Sequence, residues 1–240
     1  MKKILFVCAM KKEAKLIAEK LKLQRINEEL KDTYEQLEKA YLESVQTIRY
    51  TVEAKDPYTR GHSDRVSAYS VLIGEKLGLS EKDLKTLRIG GLFHDVGKIG
   101  VPDAILQKES RLTDEEYSEI KNHPSIGAHI LSTASIFKEI IPIVKHHHER
   151  YDGKGYPSQL KGDEIPYFAR IAAIADSFDA MTSKRTYRNS LPIEVVIEEF
   201  KKGRGTQFDP ELDDVFLDIL EHDYDKIKSI QEQFNPNVAE

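Results

Sequence analysis

Cysteine is nearly missing from this chain. Cys8 is the only one in 240 residues, which excludes an internal disulfide and a thiolate metal cluster. Such usage suits a reducing compartment, and the cytoplasm is the expected location. Long apolar runs are missing as well. The stretch from Ile4 to Met10 lies between Lys2-Lys3 and Lys11-Lys12 and is too short for a membrane span or a secretory leader, so it reads as a short strand or a terminal segment. Nor is there an excess of positive charge: 36 Lys and Arg face 41 Asp and Glu, a net charge of −5. That balance argues against a broad basic face for extended nucleic acid, while leaving room for a small phosphate ligand held by a few local cations.

Glycine and proline are absent between Lys11 and Lys55, and within that charged stretch Leu16, Leu23, Leu30 and Leu37 recur every seven residues. A leucine seam at that period is narrower than the stripe of a helix packed on its own domain, and it predicts a parallel coiled coil. With the leucines at d, the a positions include Asn27, Tyr34, Tyr41 and Ile48, and Asn27 would fix the register. The alternative is one long amphipathic helix.

Beyond Asp56-Pro57 the pattern changes to capped helices. Ser63, Ser80, Thr113 with Glu116, Ser190 and Asp209 are the expected helix starts, Pro124, Pro192 and Pro210 occupy first turns, and Gly78 is a stop. No alternating strand is visible here, so the fold class is all-α: a helical bundle preceded by a long N-terminal coiled-coil helix. The expected divisions are an apolar segment 1–10, a coiled-coil helix 11–52, a catalytic bundle 53–225 and a tail 226–240.

What the chain has in one place is histidine. Seven of its eight histidines fall between His62 and His148. Taken in order, His62, His94, Asp95, His123, His147, His148 and Asp176 recur at gaps of roughly 25 to 30 residues, about one helical hairpin each, so that successive side chains can return to one end of a bundle. Alone, His62 or His123 would be a hydrogen-bonded structural residue, and the run His146-His147-His148 a surface patch. Together with the His94-Asp95 pair they point to a polynuclear metal centre. A carboxylate such as Asp95 can bridge two cations, as one imidazole nitrogen cannot, and two cations about 3.5–4 Å apart can clamp a phosphodiester. A ligand set of nitrogen and oxygen without sulfur favours Fe or Mn over structural zinc.

The ordered motifs resemble the HD-GYP family of cyclic-dinucleotide phosphodiesterases. They are Asp56-Pro57-Tyr58-Thr59-Arg60-Gly61-His62, His94-Asp95-Val96-Gly97-Lys98, His123-Pro124, the segment from His147 to Pro157, Ala175-Asp176-Ser177-Phe178-Asp179-Ala180 and Gly205-Thr206-Gln207-Phe208-Asp209-Pro210. The resemblance covers about Glu53 to Leu220 and implies an HD-type bundle. It implies one metal on His62, His94, Asp95 and Asp176, and a second on Asp95, His123, His147 and His148. His146 falls outside that pattern. By the same resemblance Lys98, Arg185 and Arg188 would meet substrate phosphates and Tyr156 the nucleotide, with Asp95 and Lys98 serving catalysis. Some family members carry a Glu four residues before the first ligand histidine, where it helps hold a third metal. Tyr58 stands there, and its neutral phenol is the poorer ligand, so two divalent ions are expected.

The implied activity is hydrolysis of cyclic di-GMP to linear pGpG, with either pGpG or GMP as the final product, in bacterial second-messenger signalling. Other readings are an HD-superfamily nucleotide phosphohydrolase of different specificity and a cyclic-dinucleotide receptor without turnover. A homodimer through the N-terminal helix and a sensory partner upstream are the expected associations, with no membrane partner.

Overall fold

The computed structural model describes residues 2–55, 61–108, 110–183 and 190–234. Among them there is no strand, only an isolated bridge between Arg204 and Phe208, and the architecture is all-α as expected. By internal contacts the chain divides into Met1–Ile48 and Arg49–Glu240.

Helix α1, Lys2–Lys55, makes up the first unit and runs past the division. The apolar stretch from Ile4 is therefore neither strand nor loose terminus. No Gly or Pro separates it from the heptads, so the helix continues through it. Leu16, Leu23, Leu30 and Leu37 are 66, 60, 64 and 67 % exposed. Ion pairs one turn apart, Arg25 with Glu29 and Lys31 with Glu35, lie along the same helix.

The second unit is a bundle of short helices. α2 (His62–Lys76) and α3 (Glu81–Phe93) form a hairpin that leads into a 3₁₀ turn, Val96–Gly100. Then come α4 (Asp103–Leu106), α5 (Asp114–Ile120), α6 (His123–Ser132) and α7 (Ile141–His146). After a long loop, α8 (Tyr167–Thr182), α9 (Ile193–Gly203), α10 (Pro210–His222) and α11 (Tyr224–Gln233) complete it. Residues 226–234, expected in a tail, instead continue the bundle: Ile227 of α11 is fully buried in the core.

The caps follow the sequence in most places. Ser80 accepts from the Asp83 N–H, Thr113 and Glu116 close a reciprocal box, and Asp209 accepts from the N–H groups of Glu211 and Leu212 ahead of Pro210. Ser63 and Ser190 do not cap. Helix α2 starts one residue before Ser63, because Gly61 at φ 72° turns the chain into the helix with no side-chain cap, and Pro192 stands at the N-cap of α9.

Tyr69 and Ile73 of α2, Ile171, Ile174 and Phe178 of α8, Phe200 of α9 and Phe216 of α10 are fully buried in one core. The Phe178 ring meets Tyr69 and Phe216 edge-on, both at 5.1 Å between centroids. Such pairs add about 0.5–1.5 kcal/mol each to the burial of the rings. They lock α2 against α8, the helices that bear His62 and Asp176. On the other side, α6 lies so close to the 3₁₀ turn that a Cβ at Gly97 would collide with the His123 carbonyl. Only glycine permits this approach, and it brings the segment after α3 onto the start of α6.

Candidate metal centre

Seven side chains from five places in the sequence converge where these elements meet. Two groups have ligand atoms within 4.8 Å of one another: His62, His94 and Asp95 in one, and Asp95, His123, His147 and His148 in the other. Asp95 belongs to both. Its Oδ2 lies 3.3 Å from His94 Nε2 and its Oδ1 lies 3.2 Å from His123 Nε2, so each oxygen faces a different group. Asp176 stands beside the first group, with Oδ1 3.3 Å from His62 Nε2 and 3.8 Å from His94 Nε2.

The histidines are aimed by a repeated device. His94 donates its Nδ1–H to the Gly91 carbonyl at 2.7 Å, His123 to that of Ile120 at 2.7 Å, and His147 to that of Val144 at 2.8 Å. A carbonyl can only accept, so each ring keeps its proton on Nδ1 and turns the Nε2 lone pair inward. His94 Nε2 is buried and has no hydrogen-bond partner among the described residues. The Nε2 atoms of His123 and His147 face each other at 3.4 Å, two lone pairs without a proton between them. Buried acceptors that confront one another are costly unless a cation joins them, and this donor set fits divalent ions.

The electrostatics agree. Burial holds His147 well below the ordinary imidazole range, helped by the neighbouring His148, His94 and His123, and burial brings His148 down to about 4. Both rings are neutral at pH 7, as a ligand must be. Asp95 stays ionised against the penalty of burial, with the Lys98 ammonium, its Nζ 2.7 Å from Oδ2, stabilising the charge. His62 is the exception: burial would lower it, but the carboxylates of Asp176 and Asp179 outweigh that and raise it to about 9.

The loop after α7 forms one wall. Tyr156 stacks on His148, centroids 4.7 Å apart and planes 30° apart. Asp152 organises this loop, accepting from Arg150 and from the Lys154 N–H. His146 lies outside both ligand groups, its Nδ1 3.4 Å from Glu149. Tyr58, Arg185 and Arg188 lie outside the described residues.

Three residues here received no role from the sequence. Asp179, 1 % exposed, accepts from His62 Nδ1 at 2.7 Å and from Arg65 Nε and Nη2 at 2.6 and 3.0 Å. Arg65 continues to the Phe234 carbonyl at 3.1 Å. Buried Glu149 accepts from the N–H groups of Ser158 and Leu160, tying the Tyr156 loop shut. The signal for the first two was spacing: His62 and Arg65, like Asp176 and Asp179, are three apart and share a helix face.

Fold and site together define an all-α protein built around a candidate metal centre. A model of the HD domain matches residues 46–212, and the chain belongs to the HD-domain family, in its HD-GYP branch. It is 41 % identical over 176 residues to the 3′3′-cGAMP-specific phosphodiesterase 3 of Vibrio cholerae, covering 73 % of this chain and 38 % of that protein. It is 38 % identical over 202 residues to a cyclic di-GMP phosphodiesterase of Thermotoga maritima, covering 83 and 55 %. The chain thus spans about half the length, or less, of these curated relatives. Among solved structures, Bd1817, an HDG“Y”P protein from Bdellovibrio bacteriovorus, superposes with a TM-score of 0.55 at 23 % identity over 67 % of this chain and 51 % of that one. The HD domain of the L. monocytogenes phosphodiesterase PgpH, solved with cyclic-di-AMP, gives 0.54 at 20 % identity over 79 and 97 %. These two likenesses speak for the fold.

Proposed function

We propose that this chain is a metal-dependent phosphodiesterase that hydrolyses cyclic di-GMP to linear pGpG, with pGpG or GMP as the final product. The observation that carries the reading is Asp95, which presents one oxygen to each of two donor groups. Relatives named for cyclic di-GMP and for 3′3′-cGAMP support a cyclic-dinucleotide substrate.

In this reading His62, His94, Asp95 and Asp176 hold one divalent ion, and Asp95, His123, His147 and His148 the other. Fe or Mn suits these ligands, and with Tyr58 where a Glu would be needed we propose two ions, not three. Such a pair supplies Lewis-acid charge and an acidified water nucleophile. Lys98 reaches Asp95 Oδ2 at 2.7 Å, and in this reading its ammonium would offset negative charge as it develops on the phosphate. Arg185 and Arg188 are assigned to the phosphates, where a planar guanidinium makes paired hydrogen bonds. Tyr156 lines the nucleotide side.

The exposed leucines of α1 support a parallel homodimer, through which an upstream sensory partner would act. No helix among the described residues is long and apolar enough to cross a membrane. The single cysteine is compatible with the cytoplasm.

The test is metal analysis of the purified protein together with chromatography of the products from cyclic di-GMP, 3′3′-cGAMP and cyclic-di-AMP. Turnover of cyclic di-GMP, lost in Asp95→Asn along with bound metal, is expected. Turnover of a non-cyclic nucleotide alone would favour an HD phosphohydrolase of other specificity, and tight binding of the dinucleotide by metal-loaded protein without product would favour a receptor.

A further inference from the structure

The turn Gly205-Thr206-Gln207-Phe208-Asp209-Pro210 stands among the motifs of this chain, yet none of its residues joins either donor group. It is firmly anchored. Phe208 is buried and stacks on Phe200 with centroids 4.7 Å apart, and Asp209 both caps α10 and accepts from Arg170 of α8 at 2.6 Å. Half-buried Gln207 lies ahead of these anchors and meets the loop after α7.

Turn and loop are joined through backbone and side chain. The Tyr151 N–H donates to the Gln207 carbonyl at 3.2 Å, and the Asp152 N–H to the Thr206 carbonyl at 2.8 Å. Arg150 Nη1 donates to Gln207 Oε1 at 3.2 Å, while Nε and Nη2 of the same guanidinium hold Asp152 at 3.2 and 3.0 Å. The Gln207 amide also reaches the other way, with Nε2 donating to Ser177 Oγ of α8 at 3.2 Å. Arginine can only donate, so the amide oxygen faces Arg150 and the amide nitrogen is left for Ser177. One planar group thus spans loop and helix. Ser177 follows Asp176, and Arg150 comes two residues after His148. The loop is tied to itself as well: the Tyr156 N–H donates to the His148 carbonyl at 3.2 Å, and Gly155 packs on the backbone of Glu149 and Arg150 where a Cβ would collide. A shift at Arg150 is therefore a shift of His148 and Tyr156.

We propose that Gln207 is a positioning residue, which sets His148 on the loop against Asp176 on α8 and so holds the second donor group in register with the first. The proposal rests on the two-ion reading above. α8 is fixed in the core through Phe178, so the loop is the part that yields when the bridge is cut. His62, His94, Asp95 and Asp176 lie on α2, on α8 and just after α3, and their group keeps its geometry without the loop.

The experiment measures Mn²⁺ binding to the full chain by chelator competition, for the parent, Gln207→Ala, Ser177→Ala and the double variant. Gln207→Ala should weaken one of the two ions about tenfold or more, as losing the support of a ligand does, and leave the other within about threefold. Ser177→Ala should weaken the same ion, and the double variant should lose no more than about twofold beyond Gln207→Ala, because both changes cut one bridge. Equal weakening of both ions, which a general loosening of the fold would give, would overturn the proposal, as would a parent-like Gln207→Ala or additive losses in the double variant. In each of those cases a parent that binds two ions leaves the proposed function standing. A parent that binds fewer than two would overturn the two-ion reading and the bridge with it.

Discussion

Asp179 meets His62 on the far side from the ligand cluster, and what it holds there is the orientation of the ring. With Nδ1–H committed to the carboxylate at 2.7 Å, Nε2 faces Asp95 and Asp176, and the proton it carries there is the one a bound cation would displace. Asp179→Asn keeps the volume but loses the charge that fixes the ring and pairs with Arg65. It should weaken metal binding about 10–100-fold while leaving helical content intact, as measured by competition with a chromophoric chelator. Parent-like affinity would reduce Asp179 to an anchor for Arg65. Asp213 carries a different prediction. It is fully buried on α10, neither oxygen has a hydrogen-bond partner among the described residues, and burial, with the negative charge of Asp214, raises it to about 7. A carboxyl raised in the folded state binds its proton more tightly there than in the unfolded chain, so stability must fall as pH climbs from about 4 to 7 and stay low above. Asp213→Asn should abolish that slope, stabilising the protein by about 1–3 kcal/mol at pH 8 and by almost nothing at pH 4, in thermal melts across pH. The histidines of the candidate centre were legible in the sequence because clustering and order mark them. Asp179 stood in a motif without a role, since nothing in one dimension shows that an aspartate in α8 faces a histidine in α2.

At the scale of elements, the helix starts were readable wherever a short polar side chain does the capping, as at Ser80, Thr113 and Asp209. They were misread where the backbone does it. Gly61 turns the chain by its positive φ and makes no side-chain bond, so the sequence pointed to the next cap-like residue, Ser63, which is buried inside the helix. The N-terminal segment shows another limit: a seven-residue apolar run looks the same in a strand and in a helix, and only its uninterrupted junction with the heptads decides between them. The leucine seam of α1 yields a direct test. Leu23→Lys with Leu30→Lys puts like charges on the stripe through which two copies would pair, and should shift the protein from dimer to monomer in sedimentation at micromolar concentration. A parent protein that is already monomeric would remove the seam's proposed purpose.

The molecule as a whole is held together near the site by interactions that an absent cation would leave opposed. His94 Nε2 without a partner and the facing Nε2 atoms of His123 and His147 are penalties in a metal-free fold. Chelation should therefore lower the melting temperature, and Mn²⁺ at about a hundred times its Kd should restore about 2.7 kcal/mol. For a chain of this size that is about 5–10 °C by calorimetry, and Asp95→Asn should show little of it. An unchanged melting point on adding Mn²⁺ or Fe²⁺ would argue against the centre. The return of these side chains to one place was expected from their spacing, but the crossing that achieves it, α6 over Gly97, was not legible, because it is fixed by a steric allowance that no pattern of polar and apolar residues encodes. The double membership of Asp95 also governs how the chain can decay through mutation. A lineage that loses His62 or His148 damages one half of the centre and can drift through intermediate forms, whereas a change at position 95 strikes both halves in a single step. Among descendants of this protein, an altered residue 95 would mark a lineage that gave up the proposed reaction outright and kept the bundle for some other use.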